Sequence, residues 1–203
     1  MKITIFGSGN IGATIGKKWA EAGHQITFAV RNVADPKYQI LQETVASDVI
    51  IAAIPESVDT ADVILFAIPG TAIADTMAAL DGTLDGKIII DATNKVQAAV
   101  MNSLADIAAQ APQAKLFRAF NSLGWENFET PHLGETQIDL FYCGDIGNAQ
   151  ETVHQLIADI GLRPIYVGDR EQAGTVDNLT KLWFTLAFGQ GYGRRLAFKL
   201  VSE

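Results

Sequence analysis

Near the start of the chain, Gly7-Ser8-Gly9-Asn10-Ile11-Gly12 sets three glycines in the spacing G-x-G-x-x-G. The pattern follows the apolar run Lys2 to Phe6 and opens a stretch in which Ile11, Ile15 and Trp19 recur four apart. Strand, turn and amphipathic helix are therefore expected in succession. In that setting Gly7 permits a tight turn, Gly9 lets backbone approach a pyrophosphate, and Gly12 lets helix and strand pack closely. The free N–H groups and the positive end of the helix would hold the anion. A glycine-rich turn without a ligand is the bland alternative.

About 20 residues further on, such a fold reads the adenosine ribose. Here the second apolar run ends Ala29-Val30-Arg31-Asn32, with no carboxylate before Asp35. An acidic side chain would accept from a 2'-hydroxyl, whereas the Arg31 guanidinium offers charge-assisted donors to a 2'-phosphate. NADP(H) is thus expected in preference to NAD(H); Arg31 stacked over adenine or facing water is the other reading. Two more strand ends, Ala67-Ile68-Pro69-Gly70 and Asp91-Ala92-Thr93-Asn94, fall where open α/β sheets bind ligands. Ala67, Ile68, Pro69, Ala92 and Asn94 are expected to edge the cofactor, or else to cap the helices that follow.

The three histidines form no constellation. His24 and His154 read as surface residues; for His132, in the irregular stretch Asn121 to Thr136, contact with a substrate is the lesser of two readings. No His, Cys or Glu grouping has metal-ligand spacing, and no G-x-S-x-G elbow occurs. Lys181 lacks an Asn one turn later and reads as a core-edge lysine. No catalytic side chain and no metal are assigned, since hydride transfer asks mainly for two stacked rings and excluded water.

The elements that must position these residues follow from periodicity. Strands are expected near Lys2 to Phe6, Gln25 to Val30, Val49 to Ile54, Asp62 to Ile68, Lys87 to Asp91, Leu116 to Phe120, Asp139 to Cys143 and Pro164 to Val167. Several are apolar at consecutive positions, so helices should cover both sheet faces. One helix should close at Gly23; another should begin with an Asn148-x-x-Glu151 cap. The expected fold is α/β, a Rossmann-type doubly wound and mainly parallel sheet. Residues 1–168 form its NADP-binding domain and 169–203 a short helical extension. Val176 to Phe188 reads as helix that is apolar nearly all round, which predicts a homodimer interface there. Gly189, Gly191 and Gly193 should break it before Arg194 to Leu200.

Composition agrees with one globular domain: 203 residues, 48% apolar and 19% charged. The longest apolar runs, Val49 to Ile54 and Leu182 to Phe188, fall well short of the roughly 18 residues of a membrane span. No signal peptide fits, so the mature chain is expected to begin at or near Met1. A single cysteine, Cys143, suits a reducing cytoplasm, and a net charge of -8 disfavours nucleic acid as a partner.

Taken together, the glycine turn with Asn10, Glu21-Ala22-Gly23-His24, Arg31-Asn32, Asp91-Ala92-Thr93-Asn94, Ala119-Phe120-Asn121-Ser122 and Phe141-Tyr142-Cys143-Gly144-Asp145 resemble the coenzyme F420-dependent NADP oxidoreductase family. The resemblance implies NADP(H), with hydride passed between nicotinamide and F420, a flavin or another small acceptor. It implies that Gly7 to Gly12 hold pyrophosphate, Arg31 and Asn32 the 2'-phosphate, Ile68 and Pro69 the nicotinamide, and Asn121 with its neighbours the second site. Two positions depart from the family pattern: Lys95, where Pro is common, and the bulky Trp125 in the acceptor loop. β-Hydroxyacid dehydrogenases and pyrroline-carboxylate reductases share only the N-terminal likeness. A non-catalytic NADP(H)-binding redox sensor remains the alternative of a different class.

Overall fold

The computed structural model describes residues 1–45, 49–80 and 84–203. β1 (Lys2–Phe6) leads into α1 (Asn10–Glu21), then β2 (Gln25–Val30), α2 (Lys37–Val45), β3 (Ile50–Ala53) and β4 (Val63–Phe66). α3 (Ile73–Ala78), β5 (Ile88–Asp91), α4 (Leu104–Gln110) and β6 (Lys115–Arg118) follow. A crossing segment with α5 (Trp125–Glu129), β7 (His132–Leu133) and β8 (Thr136–Gln137) reaches β9 (Asp139–Gly144). The last regular elements are α6 (Asn148–Asp159), β10 (Arg163–Gly168) and α7 (Ala173–Phe184), which widens into a π-turn over Thr185–Gly189.

Eight strands make one sheet in the order β10-β9-β6-β5-β4-β1-β2-β3, and β7 pairs with β8 apart from it. Every neighbouring pair in the large sheet is parallel except β6 and β9. This is the expected doubly wound α/β sheet, with all eight strands near their expected places: β1 and β2 have the expected bounds, β3 to β6 are shorter, and β9 and β10 slightly longer. β4 shows why: all four of its residues are buried, so apolar side chains are needed on both faces. One face packs Ile15 and Trp19 of α1, Phe128 of α5 and Val153, Leu156 and Ile157 of α6. The other packs Ile73 and Met77 of α3 and Leu104 and Ile107 of α4.

α7 belongs to both. Its early residues Ala173 and Val176 lie in the second cluster, while Trp183 and the following Ala187 lie in the first. Along the way Asp177 meets Arg118, the last residue of β6, and Thr180 meets Asn121. The helix therefore climbs past the carboxyl end of β6 and crosses from one face to the other.

Five expectations need correction. The stretch Asn121 to Thr136 is not irregular: α5 and the β7–β8 hairpin occupy it, because Phe128 has an aromatic partner in Phe120, itself packed on Trp19. The outer part of the extension is not helical. Gly191 and Gly193 adopt left-handed backbone, and 194–200 instead runs as an irregular strap held by its side chains. α7 is not apolar all round either, since its buried side carries Asp177 and Thr180. His24 is not a surface residue: its ring, 10% exposed, lies 2.8 Å from Asp159 of α6. At α6 the cap is Gly147 at φ 103, without a side-chain cap hydrogen bond, so the Asn148–Glu151 box does not form.

Candidate functional site

The glycines of the first turn divide into two kinds. Gly7 has φ 108, and a Cβ there would come within 2.3 Å of the Ala67 carbonyl oxygen. A Cβ on Gly12 would lie 1.9 Å from the Gly7 carbonyl oxygen. Both glycines are demanded by the fold itself. Gly9 is different: it is extended, at φ -77, and a Cβ would meet no atom within 4 Å. Nothing in the protein requires glycine at 9, which leaves room for something outside it to come close. Gly9 is also the N-cap of α1, where no side chain caps the helix, so the first-turn N–H groups lack that partner.

Beside this turn lies a cleft of about 390 Å³ that brings together Gly7, Ser8, Arg31, Ile68 and Pro69. Pro69 also borders an adjoining hollow of about 510 Å³, which Gly70, Asn94 and Lys95 line. A trough thus follows the carboxyl edge from β2 past β4 to β5, as open α/β sheets place their ligands. Asn10, Ile11 and Gly12 belong to the first turn of α1. The remaining expected residues take other positions. Asn32 is exposed and its Oδ1 accepts from the Ala34 N–H at 3.1 Å. Ala67 lends its backbone to the turn. Ala92 is buried, with its N–H bonded to the Phe66 carbonyl. Asn121 is buried and lines neither hollow; its Nδ2 donates to Thr180 Oγ1 at 2.8 Å.

Arg31 is exposed and makes no hydrogen bond or ion pair with any described residue. Lys37 and Tyr38 line the same cleft, and sequence reasoning missed both. Lys37 Nζ lies 2.8 Å from Asp35 Oδ2 and 4.8 Å from the centre of the Tyr38 ring. Hydrogen bonds from Lys37 hold the Asp35 carboxyl below its ordinary value. The available signal was Asp35-Pro36-Lys37-Tyr38, a helix start just beyond Arg31. Two cations therefore flank the β2 end of the trough, one partnerless and one held by an acid that an anionic group could replace.

A second omission lies beneath Asn94. Arg118 is fully buried with Asp91 and Asp177; it donates to Asp177, Thr93 and Asn94, and Asn102 donates to Asp177. A lone Arg within the apolar run Leu116-Phe117-Arg118-Ala119-Phe120 was the signal. Asn121 Oδ1 and Glu126 Oε2 are the buried side-chain oxygens without a hydrogen-bond partner among the described residues. His132 is exposed in the β7–β8 hairpin. Burial pushes the Cys143 thiol up to about 12, so it is no nucleophile at neutral pH. Among the described residues no three His, Cys, Asp or Glu are grouped to hold a metal ion, and no helix is long and apolar enough to cross a membrane.

The chain is similar to several known proteins. A glycerol-3-phosphate dehydrogenase [NAD(P)+] from Chlorobium chlorochromatii is 24% identical over 219 aligned residues. The match takes in 100% of this chain but 65% of the dehydrogenase, so the chain spans just under two thirds of that relative's length. Among solved structures, one described as an F420-dependent NADP-reductase from Arthrobacter sp. FB24 superposes over 100% of both chains, with a TM-score of 0.85 at 22% identity. A reductive aminase from Aspergillus terreus, solved with NADPH and ethyl levulinate, matches 94% of this chain and 62% of its own, at 25% identity and a TM-score of 0.71. These likenesses establish the fold of NAD(P)-dependent oxidoreductases. Residues 2–95, from β1 through the glycine turn, Arg31 and Asn94, match the family described as NADP oxidoreductase, coenzyme F420-dependent.

Proposed function

We propose that the protein is an NADP(H)-dependent oxidoreductase that passes hydride between nicotinamide and a small acceptor of the deazaflavin or flavin type. The observation that carries this reading is the pairing of Gly9, whose missing side chain serves nothing in the fold, with Arg31 in the adjoining cleft, which has no partner among the described residues. The residues fit the dinucleotide. The turn Gly7 to Gly12 would take the pyrophosphate on the N–H groups of α1, and Arg31, Asn32 and Lys37 the 2'-phosphate. Ile68, Pro69 and Asn94, with Ala67, Ala92 and Asn121 behind them, would frame the nicotinamide end. The bound nucleotide supplies the hydride chemistry; the protein's share is to bind, orient and keep water from the reacting rings. The Arthrobacter neighbour's description as F420-dependent supports a deazaflavin as the second substrate.

Calorimetric titration with NADPH and NADH, followed by NADPH oxidation against deazaflavin, flavin, quinone and ferric acceptors, tests the reading. Binding of NADPH with turnover on a ring acceptor is the expected result. Tight binding without turnover on any acceptor would replace it with a redox-sensing role, and no heat from either nucleotide would remove it. We further propose that a second copy of the chain covers the outer side of α7. There Leu182 is 47% exposed, and an apolar groove of about 530 Å³ runs along Phe141, Ile165, Val167 and Leu179. The reducing compartment suggested by one buried, free cysteine belongs to the same proposal.

A further inference from the structure

A fully buried guanidinium is costly unless its donors are met, and Arg118 meets them with groups from several parts of the chain. Its Nε donates to Asp177 Oδ1 of α7 at 2.9 Å. Nη1 donates to the Asp91 carbonyl at 3.1 Å and to the Thr93 carbonyl. Nη2 donates to Asn94 Oδ1 at 2.8 Å. The two carboxylates facing it are themselves satisfied: Asp91 accepts from Thr93 and the Ser103 N–H, and Asp177 from Asn102. Ion pairing alone would need only a positive charge; the planar fork is what reaches Asn94 as well.

Asn94 is where this network comes to the surface of the trough. Its Oδ1 is taken by Arg118 and its Nδ2 donates to the Asn121 carbonyl at 3.0 Å, so the amide is held at both ends. Between Arg118 and Asn121 stands Phe120 at φ 61, the only positive-φ residue among those described that is not glycine. Such strain persists only where surrounding contacts hold it. The Oδ1 of Asn121 is buried and has no hydrogen-bond partner among the described residues, so the backbone carbonyl is the atom through which Asn121 holds Asn94.

We infer that Arg118 is a positioning residue for the nicotinamide end of the trough, acting through Asn94 and the Asn121 backbone while Asp177 ties the same arrangement to α7. The inference rests on the dinucleotide reading above, and its test separates the two. The unmodified chain, Arg118→Lys, Asn94→Ala and the double variant are each titrated with NADPH and with the adenosine bisphosphate that carries the 2'-phosphate but no nicotinamide. Arg118→Lys keeps the charge and loses the fork. It is expected to weaken NADPH about tenfold, the size of one lost hydrogen bond, and to leave the bisphosphate within about twofold. Asn94→Ala should do the same, and the double variant should lose little more than either, because one acts through the other. Equal losses for both ligands, no loss for NADPH, or additive losses in the double variant would overturn the positioning role. If Arg118→Lys does not fold, Asp177→Asn releases the guanidinium from α7 and is read by the same two outcomes. Failure of the unmodified chain to bind either ligand would overturn the dinucleotide reading, and this one with it.

Discussion

Gly9 and Gly12 sit three positions apart in one motif and do different work, which substitution by alanine should expose. Gly12→Ala puts a Cβ 1.9 Å from a backbone oxygen that cannot move away, so a loss of about 2 kcal/mol or more is expected in urea unfolding. Gly9→Ala adds a methyl to open space at ordinary φ and should leave unfolding unchanged or slightly improved, yet weaken NADPH in calorimetry. Arg31→Ala should weaken NADPH by about 1.5 to 3 kcal/mol, the range of a lost charge-assisted contact, with NADH almost unaffected. Equal losses for the two nucleotides would deny it the phosphate-reading role. The glycines and Arg31 were legible because their meaning depends on neighbours within one strand–turn–helix. Arg118 was not: its partner Asp177 is 59 residues away, and no local pattern pairs them.

The carboxyl-terminal strap shows what periodicity could not foresee. Without a helical or strand repeat to read, residues 194–200 are fixed by Leu196, Ala197 and Phe198 against the core and by polar anchors: Arg195 donates to the carbonyls of Glu126, Thr130 and His132, while Lys199 Nζ and the Leu200 N–H reach Asp139. Arg163 also bonds both Asp139 oxygens. Burial by itself would raise the Asp139 carboxyl, but hydrogen bonds from Arg163, Lys199 and Leu200 outweigh it and hold it below its ordinary value. The folded chain thus binds this proton less readily than the unfolded one. Its contribution is present above the unfolded carboxylate value of about 3.9 and is lost as pH falls through the lower, folded value. Asp139→Ala should cost about 1 to 2 kcal/mol at pH 7, since it removes the buried acceptor shared by Arg163, Lys199 and the Leu200 N–H. The gap between variant and parent in urea unfolding should shrink below about pH 4. A gap that does not change with pH would show that the carboxylate charge is not what holds the strap.

Strand alternation and consecutive apolar residues were enough to recover the sheet, because burial on both faces leaves a mark on each strand separately. The reversal of β9 left no such mark, since strand direction is a property of the connection rather than of the residues in it. The outer side of α7 carries the prediction for assembly. If the parent is the proposed dimer by light scattering, Leu182→Glu should yield a folded monomer, with circular dichroism unchanged. A parent that is already monomeric at micromolar concentration would leave the apolar groove without its proposed cover.

That reversal also decides which way later polypeptide can travel. Had β9 run alongside β6 in the same sense, a helix following the last strand would have been sent back toward the amino edge, far from any bound nucleotide. Because β9 and β10 point the other way, α7 is returned toward the carboxyl edge, where Asp177 meets Arg118 and Thr180 meets Asn121. Alterations to that helix would therefore be felt at Asn121 and, by way of Arg118, at Asn94, the end proposed for the nicotinamide, and not at the glycine turn proposed for the phosphates.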